Sequence, residues 1–454
     1  MFTLVVRSKR DADAVRAMVS RFYPAWGVDV ATMHGARSEE AMARELEGIV
    51  RPDRFYIVLL GREDARNARR LEEILPANAV VHVVPKARIR NARMEQLYVE
   101  TLRARARLRL AAGWTTGAYR LEWGAGSPLE AYEVDVSYDN FIGLGRFADH
   151  VSALVGDVVG RNPLVLRLHG GRHHVYNGPR VRVVLEVDDL GIRPRAELVE
   201  DAEPLDVDIG RLVGENRGVL ERLSEASRGF LRSLGEFDRV IVPWSGGKDS
   251  TAALIAAIEA FGRRRVTAVF GDTGTEFPST LRYVEETAKA LGVELEVAYA
   301  GLDRALAEGA PMPSHENRWC TGRKIEAIEA KIAELAEGRT LVVIGDRDAE
   351  SPRRSDRPPL REGPAGTLVA TPIRLWGGAH VQAYILSRGL RLNPMYEAGF
   401  YRIGCYMCPA LRNWEIHVMS REREALRLLG SRIYRRFMHQ RFFHRPSAGR
   451  GAMH

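Results

Sequence analysis

Apolar positions come in short unbroken blocks along the first eighty residues. "FTLVV" (Phe2–Val6), "FYIVLL" (Phe55–Leu60) and "AVVHVV" (79–84) carry almost no polar interruption. Blocks of this length without alternation read as strands covered on both faces. Between the first two lie "DADAVRAMVSRFY" and "SEEAMARELEGIV". There the apolar residues recur every three or four positions, the period of a helix with one buried face. Strand and helix in alternation predict a small parallel α/β unit over residues 1–115. Its last part, "KARIRNARMEQLYVETLRARARLRLAAGW" (86–114), reads as one long helix with arginine at many positions. A solvated helix face and a nucleic-acid-binding ridge both fit that pattern.

The pattern then changes. "AYEVDVSY" (131–138), "PLVLRLHGG" (163–171) and "RVRVVLEVDD" (180–189) are strand-like, with Gly, Asn and Pro between them. They predict a mixed α+β module over 116–212. Within it "HGGRHH" groups His169, His173 and His174. Three imidazoles suit a metal, but with no cysteine or regularly spaced carboxylate nearby a polar turn is favoured. "GENRGVLERLSEASRGFLRSLGEF" (214–237) is a helix leading into a third segment, 213–412. A basic, aromatic helical extension, 413–454, follows.

The third segment holds the clearest chemistry. "RVIVPW" is an apolar strand, "SGGKDS" (245–250) follows it, and "TAALIAAIEAFG" is a strong helix. A glycine-rich turn therefore joins a strand to a helix N-terminus, where free backbone N–H groups and the helix dipole attract anions. Gly246 and Gly247 let the backbone approach closely, Ser245 and Ser250 offer hydroxyls, and Lys248 a cation. The spacing is not that of the Walker loop. The next strand ends in "GDTG", which places Asp272 and Thr273 at a strand's carboxyl end, where open α/β sheets bind ligands. Asp272 has the chemistry to accept from a ribose hydroxyl or an adenine amine, or to help hold Mg²⁺. "TLVVIGDRDAES" is another buried strand with Arg347 just past it, a cation suited to phosphate or sulfate.

Charge and cysteine usage narrow the class. The net charge is +8, yet only six of the 67 basic residues are lysine, and two of these, Lys248 and Lys324, lie in the motifs. Three cysteines, Cys320, Cys405 and Cys408, make a poor disulfide framework. No apolar run approaches the roughly 18 residues of a membrane helix, and the first residues lack a signal-peptide pattern. The expectation is a cytoplasmic protein.

In order, "SGGKDS", "DTGTEFPST", "RWCTGRK", "IGDRDAESPRRSDRP", "PIRLW" and "NPMYEAGFYRIGCYMCP" resemble the phosphoadenosine-phosphosulfate (PAPS) reductase family of PP-loop, adenine-nucleotide alpha-hydrolase-like enzymes. The resemblance covers about residues 238–412. It implies a parallel-sheet α/β domain. In the family the loop grips pyrophosphate or an equivalent anion, which carries to Ser245, Gly246, Gly247, Lys248, Asp249 and Ser250. The strand end that lines the adenosine pocket carries to Asp272 and Thr273. The anion-facing element carries to Arg347, Glu350, Ser351 and Arg354. On the residues alone, Glu350 fits a structural ion pair with Arg353 or Arg354 equally well. Lys248, Asp249, Asp272 and Arg347 are the implied catalytic set.

Iron–sulfur members hold a [4Fe–4S] cluster with a Cys-Cys pair and a later Cys-x-x-Cys. Here Cys320, Cys405 and Cys408 match three of those ligands, and Trp319 stands at the fourth. Zinc bound by the three cysteines and a histidine such as His417 is the alternative. Family reductases also use a tail cysteine that "HRPSAGRGAMH" lacks. With an intact loop, the resemblance points to an ATP-dependent, pyrophosphate-releasing sulfur transfer on RNA or a small molecule, with a thiol or sulfur donor. Alternatives are a PAPS or adenylyl-sulfate reductase working with an external thiol, and a non-catalytic nucleotide-binding subunit. The basic helix and C-terminus suggest RNA as a partner, and the N-terminal modules suit RNA, a protein or a homodimer contact.

Overall fold

The computed structural model describes residues 1–123, 133–189 and 191–443. The tail "HRPSAGRGAMH", part of "AYEVDVSY" and Leu190 lie outside the described residues.

The apolar blocks form strands as their pattern predicts. β1 (Phe2–Val6), β2 (Asp29–Thr32), β3 (Phe55–Leu60) and β4 (Ala79–Val83) make a four-stranded parallel sheet ordered β2-β1-β3-β4. β1 and β3 are central and buried at every position, which is why they carry no alternation. β2 was not evident in the sequence. As an edge strand it needs little apolar surface, and its residues "DVAT" are exposed or half-buried.

A short hairpin, β5 (Gly113–Thr115) and β6 (Ala118–Arg120), leads to the second sheet. β7 (Asp139–Ile142), β8 (Leu164–Arg167), β9 (Arg172–Asn177), β10 (Arg180–Glu186) and β11 (Arg195–Leu198) are ordered β11-β10-β9-β8-β7 and pair antiparallel. Two expectations are corrected here. Residues 133–138 are not a strand, which begins only at Asp139. His173 and His174 lie in β9 rather than a turn; only His169 is in one. His174 pairs with Leu166 on one side and Val184 on the other, so neighbouring strands fix its backbone. Burial pushes the His173 imidazole down to about 3 and His174 to about 4.

The third sheet is six-stranded: β12 (Arg239–Trp244), β13 (Val266–Asp272), β14 (Glu294–Tyr299), β15 (Thr340–Val343), β16 (Leu360–Glu362) and β17 (Leu368–Ala370), ordered β14-β13-β12-β15-β17-β16. All pairs are parallel except β16–β17. The chain moves outward from β12 to β13 and β14, then returns to β15 on the other side of β12. The carboxyl end of β12 is thus the switch point at which doubly wound sheets bind ligands. One hydrophobic core runs from Phe2 through Leu166 and Trp244 to Tyr396, continuous across all three sheets. Among the described residues no helix is long and apolar enough to cross a membrane.

The arginine-rich segment is corrected most. Its helix is Met94–Leu110, shorter than 86–114, and neither a solvated face nor a ridge. Arg105 and Arg109 are 1% exposed. Arg105 Nε donates to Asp348 at 2.8 Å and Arg109 Nε to the Tyr138 carbonyl at 2.8 Å. Arg107 pairs with Glu72 and lies 4.3 Å over the Trp123 ring. These cations bind the helix to the rest of the protein.

Candidate active site

β12 ends at Trp244, and the chain turns through Ser245, Gly246 and Gly247 into the helix Lys248–Phe261. Gly246 sits at φ +70°, where a side chain is strained, and a Cβ there would lie 3.1 Å from Val284 and 3.2 Å from Thr280. The Asn393 amide donates to the Gly246 carbonyl at 3.2 Å. Ser245 and Ser250 hydroxyls meet at 3.0 Å across the turn. The Tyr396 hydroxyl accepts the Lys248 N–H at 2.9 Å. The turn is held rigidly from behind.

Lys248 is only 6% exposed. Its Nζ donates to Asp249 at 2.8 Å and lies 5.9 Å from the Tyr396 ring centre. The other Asp249 oxygen accepts from Arg347 Nε at 2.6 Å. Burial raises the Asp249 carboxyl, but Arg347 and Lys248 outweigh it and the net shift is downward. Arg347 is 3% exposed and does not face an open anion site. Its two terminal nitrogens grip Asp139 at 3.0 and 2.9 Å. Gly345, just upstream, allows this approach: a Cβ there would lie 2.5 Å from the Asp249 carbonyl. Glu350 accepts the Arg347 N–H at 3.0 Å and pairs with Arg354. Ser351 caps the turn that carries Arg354. Of the two readings of Glu350, the ion pair is the one formed. Glu350 and Ser351 also line a 510 Å³ cleft with Arg167, His169, Asp188 and Arg412.

Asp272 ends β13, where one carboxylate oxygen accepts the Gly274 N–H at 2.8 Å. The Thr273 hydroxyl is buried and donates to Glu276 at 3.0 Å. Glu276 accepts from Lys324 at 3.4 Å. The Tyr406 N–H donates to the Thr275 carbonyl at 3.0 Å, which fixes the Cys-x-x-Cys turn beside this strand end. Burial opposes charge on Lys324, yet Glu276 and then Cys405 hold its ammonium above the usual range. Cys320, in the first turn of the helix Trp319–Leu335, packs in the same apolar cluster as Cys405 and Cys408. All three thiols are free. The hydrogen bond from Cys405 lowers Cys408 to about 6, against burial; the same bond, with burial, raises Cys405. Burial raises Cys320.

Residues 239–411 match the sequence model of the phosphoadenosine phosphosulfate reductase domain. This segment of the chain belongs to the PAPS reductase family. An uncharacterized protein of Methanocaldococcus jannaschii is 32% identical over 216 residues, 46% of this chain and 45% of that protein. The adenosine 5'-phosphosulfate reductase of Rhodococcus erythropolis is 30% identical over 148 residues, 32% of this chain and 58% of that enzyme. The crystal structure of PAPS reductase from Candida auris, a phosphate complex, aligns with TM-score 0.34 at 21% identity over 42% of this chain and 95% of that one. The chain spans about half the length of the first curated relatives it matches.

Cysteine donors in the PAPS reductase segment suit a thiolate-held group in their chemistry. Three sulfurs share an apolar surround; the bond from Cys405, with Arg402 and Arg318 nearby, favours thiolate at Cys408, while the Cys408 bond holds Cys405 up and burial holds Cys320 up. As placed they are a bonded pair and a neighbour: among the described residues no three His, Cys, Asp or Glu side chains form a group that would hold a metal ion. His417 instead contacts Arg421 at 3.0 Å and meets the His150 ring edge-on. Two residues at the site had no role in the sequence reading. Tyr396 was visible within "NPMYEAGFYRIGCYMCP". Asp139 carried no signal, because its partner Arg347 is 208 positions away.

Proposed function

We propose that the chain is an ATP-using PP-loop enzyme that adenylates an acceptor, releases pyrophosphate and transfers sulfur. The observation that carries this reading is the complete phosphate loop at the sheet's switch point, with Lys248 at the first helical position and its partner Asp249 held by Arg347 as well. The acceptor is a carbonyl oxygen of an RNA base or a small molecule. That oxygen attacks the α-phosphorus. The bond from the α-phosphorus to the bridging oxygen breaks, and the electron pair leaves with pyrophosphate. Lys248, the Gly246–Gly247 backbone and the two serine hydroxyls stabilise the charge that develops there. Asp272 orients the adenosine or its Mg²⁺. Hydrosulfide then attacks the activated carbon: the C–S bond forms, the C–O bond breaks with its electron pair leaving on AMP, and the sulfur's proton goes to solvent. Cys320, Cys405 and Cys408 have the chemistry to hold an iron–sulfur cluster if drawn together, and a cluster there would supply a thiophilic centre for the sulfur donor.

Anaerobically purified protein tests this directly. The reading expects iron and sulfide in the protein and ATP–pyrophosphate exchange once the acceptor is present. Protein without iron, or without exchange for any RNA or small-molecule acceptor, sinks it. The adenosine 5'-phosphosulfate reductases among the relatives favour a second reading, reduction of a sulfonucleotide by an external thiol. Sulfite release from adenylyl sulfate with dithiothreitol would select it.

A further inference from the structure

Asp139 lies on β7, in the second sheet and outside the PAPS reductase segment, yet its carboxylate is built into the phosphate site. One oxygen accepts from Arg347 at 3.0 Å and from the Gly378 N–H at 3.0 Å; the other accepts from Arg347 at 2.9 Å. The Gly377–Gly378 pair lets β7 come this close: a Cβ on Gly378 would lie 2.6 Å from the Asn140 carbonyl. Gln382 bonds the Ile142 N–H at 2.8 Å and the Ile142 carbonyl at 2.9 Å, fixing the rest of β7 on the same helix. With both terminal nitrogens held, Arg347 presents only Nε to Asp249, at 2.6 Å. Asp249 then holds Lys248.

We propose that Asp139 is a positioning residue for polyphosphate binding, acting through Arg347 and Asp249 on Lys248. The inference rests on the reading of residues 245–250 as a nucleotide phosphate site. Its logic is charge balance. Two carboxylates and two cations alternate along the relay. An arriving polyphosphate draws Lys248 away from Asp249, and Asp249 keeps a counter-ion because Asp139 fixes Arg347 beside it. Without the Asp139 charge, Arg347 swings fully onto Asp249 or toward the loop, and Lys248 loses its set position.

The relay touches the phosphate end of the site alone, so ATP and adenosine report on it differently. Calorimetric titration of the full chain with each ligand makes the test. Asp139→Asn is expected to weaken ATP about tenfold, a coupling typical of charges in one network, and to leave adenosine affinity unchanged. Arg347→Lys keeps the charge but cannot bridge both carboxylates, and is expected to show the same ATP-selective loss even if Asp139→Asn fails to fold. Unchanged ATP affinity in a folded variant overturns the proposal, and so does an equal loss for both ligands, which marks Asp139 as structural. A wild-type chain that binds neither ligand overturns the nucleotide reading itself, a result distinct from either.

Discussion

Arg347 and Asp348 are consecutive, each 3% exposed, and each reaches into the N-terminal half, but their networks end in different places. Arg347 joins Asp139 to Asp249 and so to Lys248 at the phosphate loop. Asp348 joins Arg105 to Arg374 at 2.8 Å each. Both of those guanidinium groups lie over the Trp26 ring, at 4.6 and 4.5 Å, and Arg105 also reaches the Tyr23 hydroxyl at 3.3 Å. That network closes on itself inside the core. Burial pushes Arg374 down to about 10 despite Asp348, a sign of how little solvent remains there. Burial and ion pairing are alike on the two sides. What separates a clamp from a site is whether the chain of charges ends at a ligand-facing group.

Cutting the closed network should have the largest effect, and on stability. Asp348→Ala leaves Arg105 and Arg374 without their carboxylate. Removing one partner of a buried pair costs about 3–5 kcal/mol, which denaturant unfolding would register. Nucleotide affinity of the protein that remains folded should not change. A variant of near-wild-type stability would break the distinction, because it would leave Asp348 without a structural role.

The open network predicts the reverse. Lys248→Ala removes one cation from Asp249, which keeps Arg347, so it should cost less stability than Asp348→Ala, whose two cations lose their carboxylate. Lys248→Ala should lower ATP–pyrophosphate exchange about 10²- to 10³-fold, the scale for a group that meets developing charge. A stable variant that keeps its exchange rate would remove Lys248 from the chemistry.

These contrasts explain what the sequence could and could not reveal. The phosphate loop was legible because its six residues are contiguous and their flanks read as strand and helix. The family resemblance rested on the same local motifs. The arginines of Met94–Leu110 were not legible. A buried arginine and a solvated one look the same until the partner is known, and Asp348 lies 243 positions from Arg105. Asp139 was hidden for the same reason. His173 and His174 misled because a polar "HGGRHH" suggests a turn, whereas pairing on both sides of β9 makes a strand of it. The cysteines fall between these cases. Cys405 and Cys408 are joined by spacing, while Cys320 joins them only through the packing of separate elements.

The thiol end of the site asks whether function extends beyond the open network. It is tied to the end of β13 through Thr275 and Glu276, and among the described residues no ion pair joins it to Lys248 or Arg347. Cys408→Ser should therefore remove most of the iron from anaerobically purified protein and leave ATP affinity as in the wild type. Iron retained in full would take Cys408 out of the ligand set. A parallel loss of ATP affinity would show that the two ends are one coupled unit.

The smallest effect concerns the junction between β7 and the helix that begins at Gly378. His380 lies in the helix Gly378–Ser387, whose first N–H is bound by Asp139. Its Nδ1 accepts the Gly377 N–H at 3.1 Å, so Nε2 carries the proton that it donates to the Leu121 carbonyl at 2.8 Å. Both nitrogens are engaged as a neutral ring, and burial pushes the imidazole down to about 4. In the unfolded chain a histidine titrates near 6.5. Between those values the unfolded state binds a proton that the folded state excludes. Stability contributed by this group is thus complete above about pH 6.5 and is lost as pH falls toward 4, at no more than about 1.4 kcal/mol per pH unit. His380→Gln keeps one donor and one acceptor but cannot titrate. Its unfolding free energy, measured from pH 7 to pH 4, should fall less steeply than the wild type's, with the difference confined to that window. Equal slopes would mean that His380 gains its proton without opening the junction, and the link between β7 and this helix would then be looser than its hydrogen bonds imply.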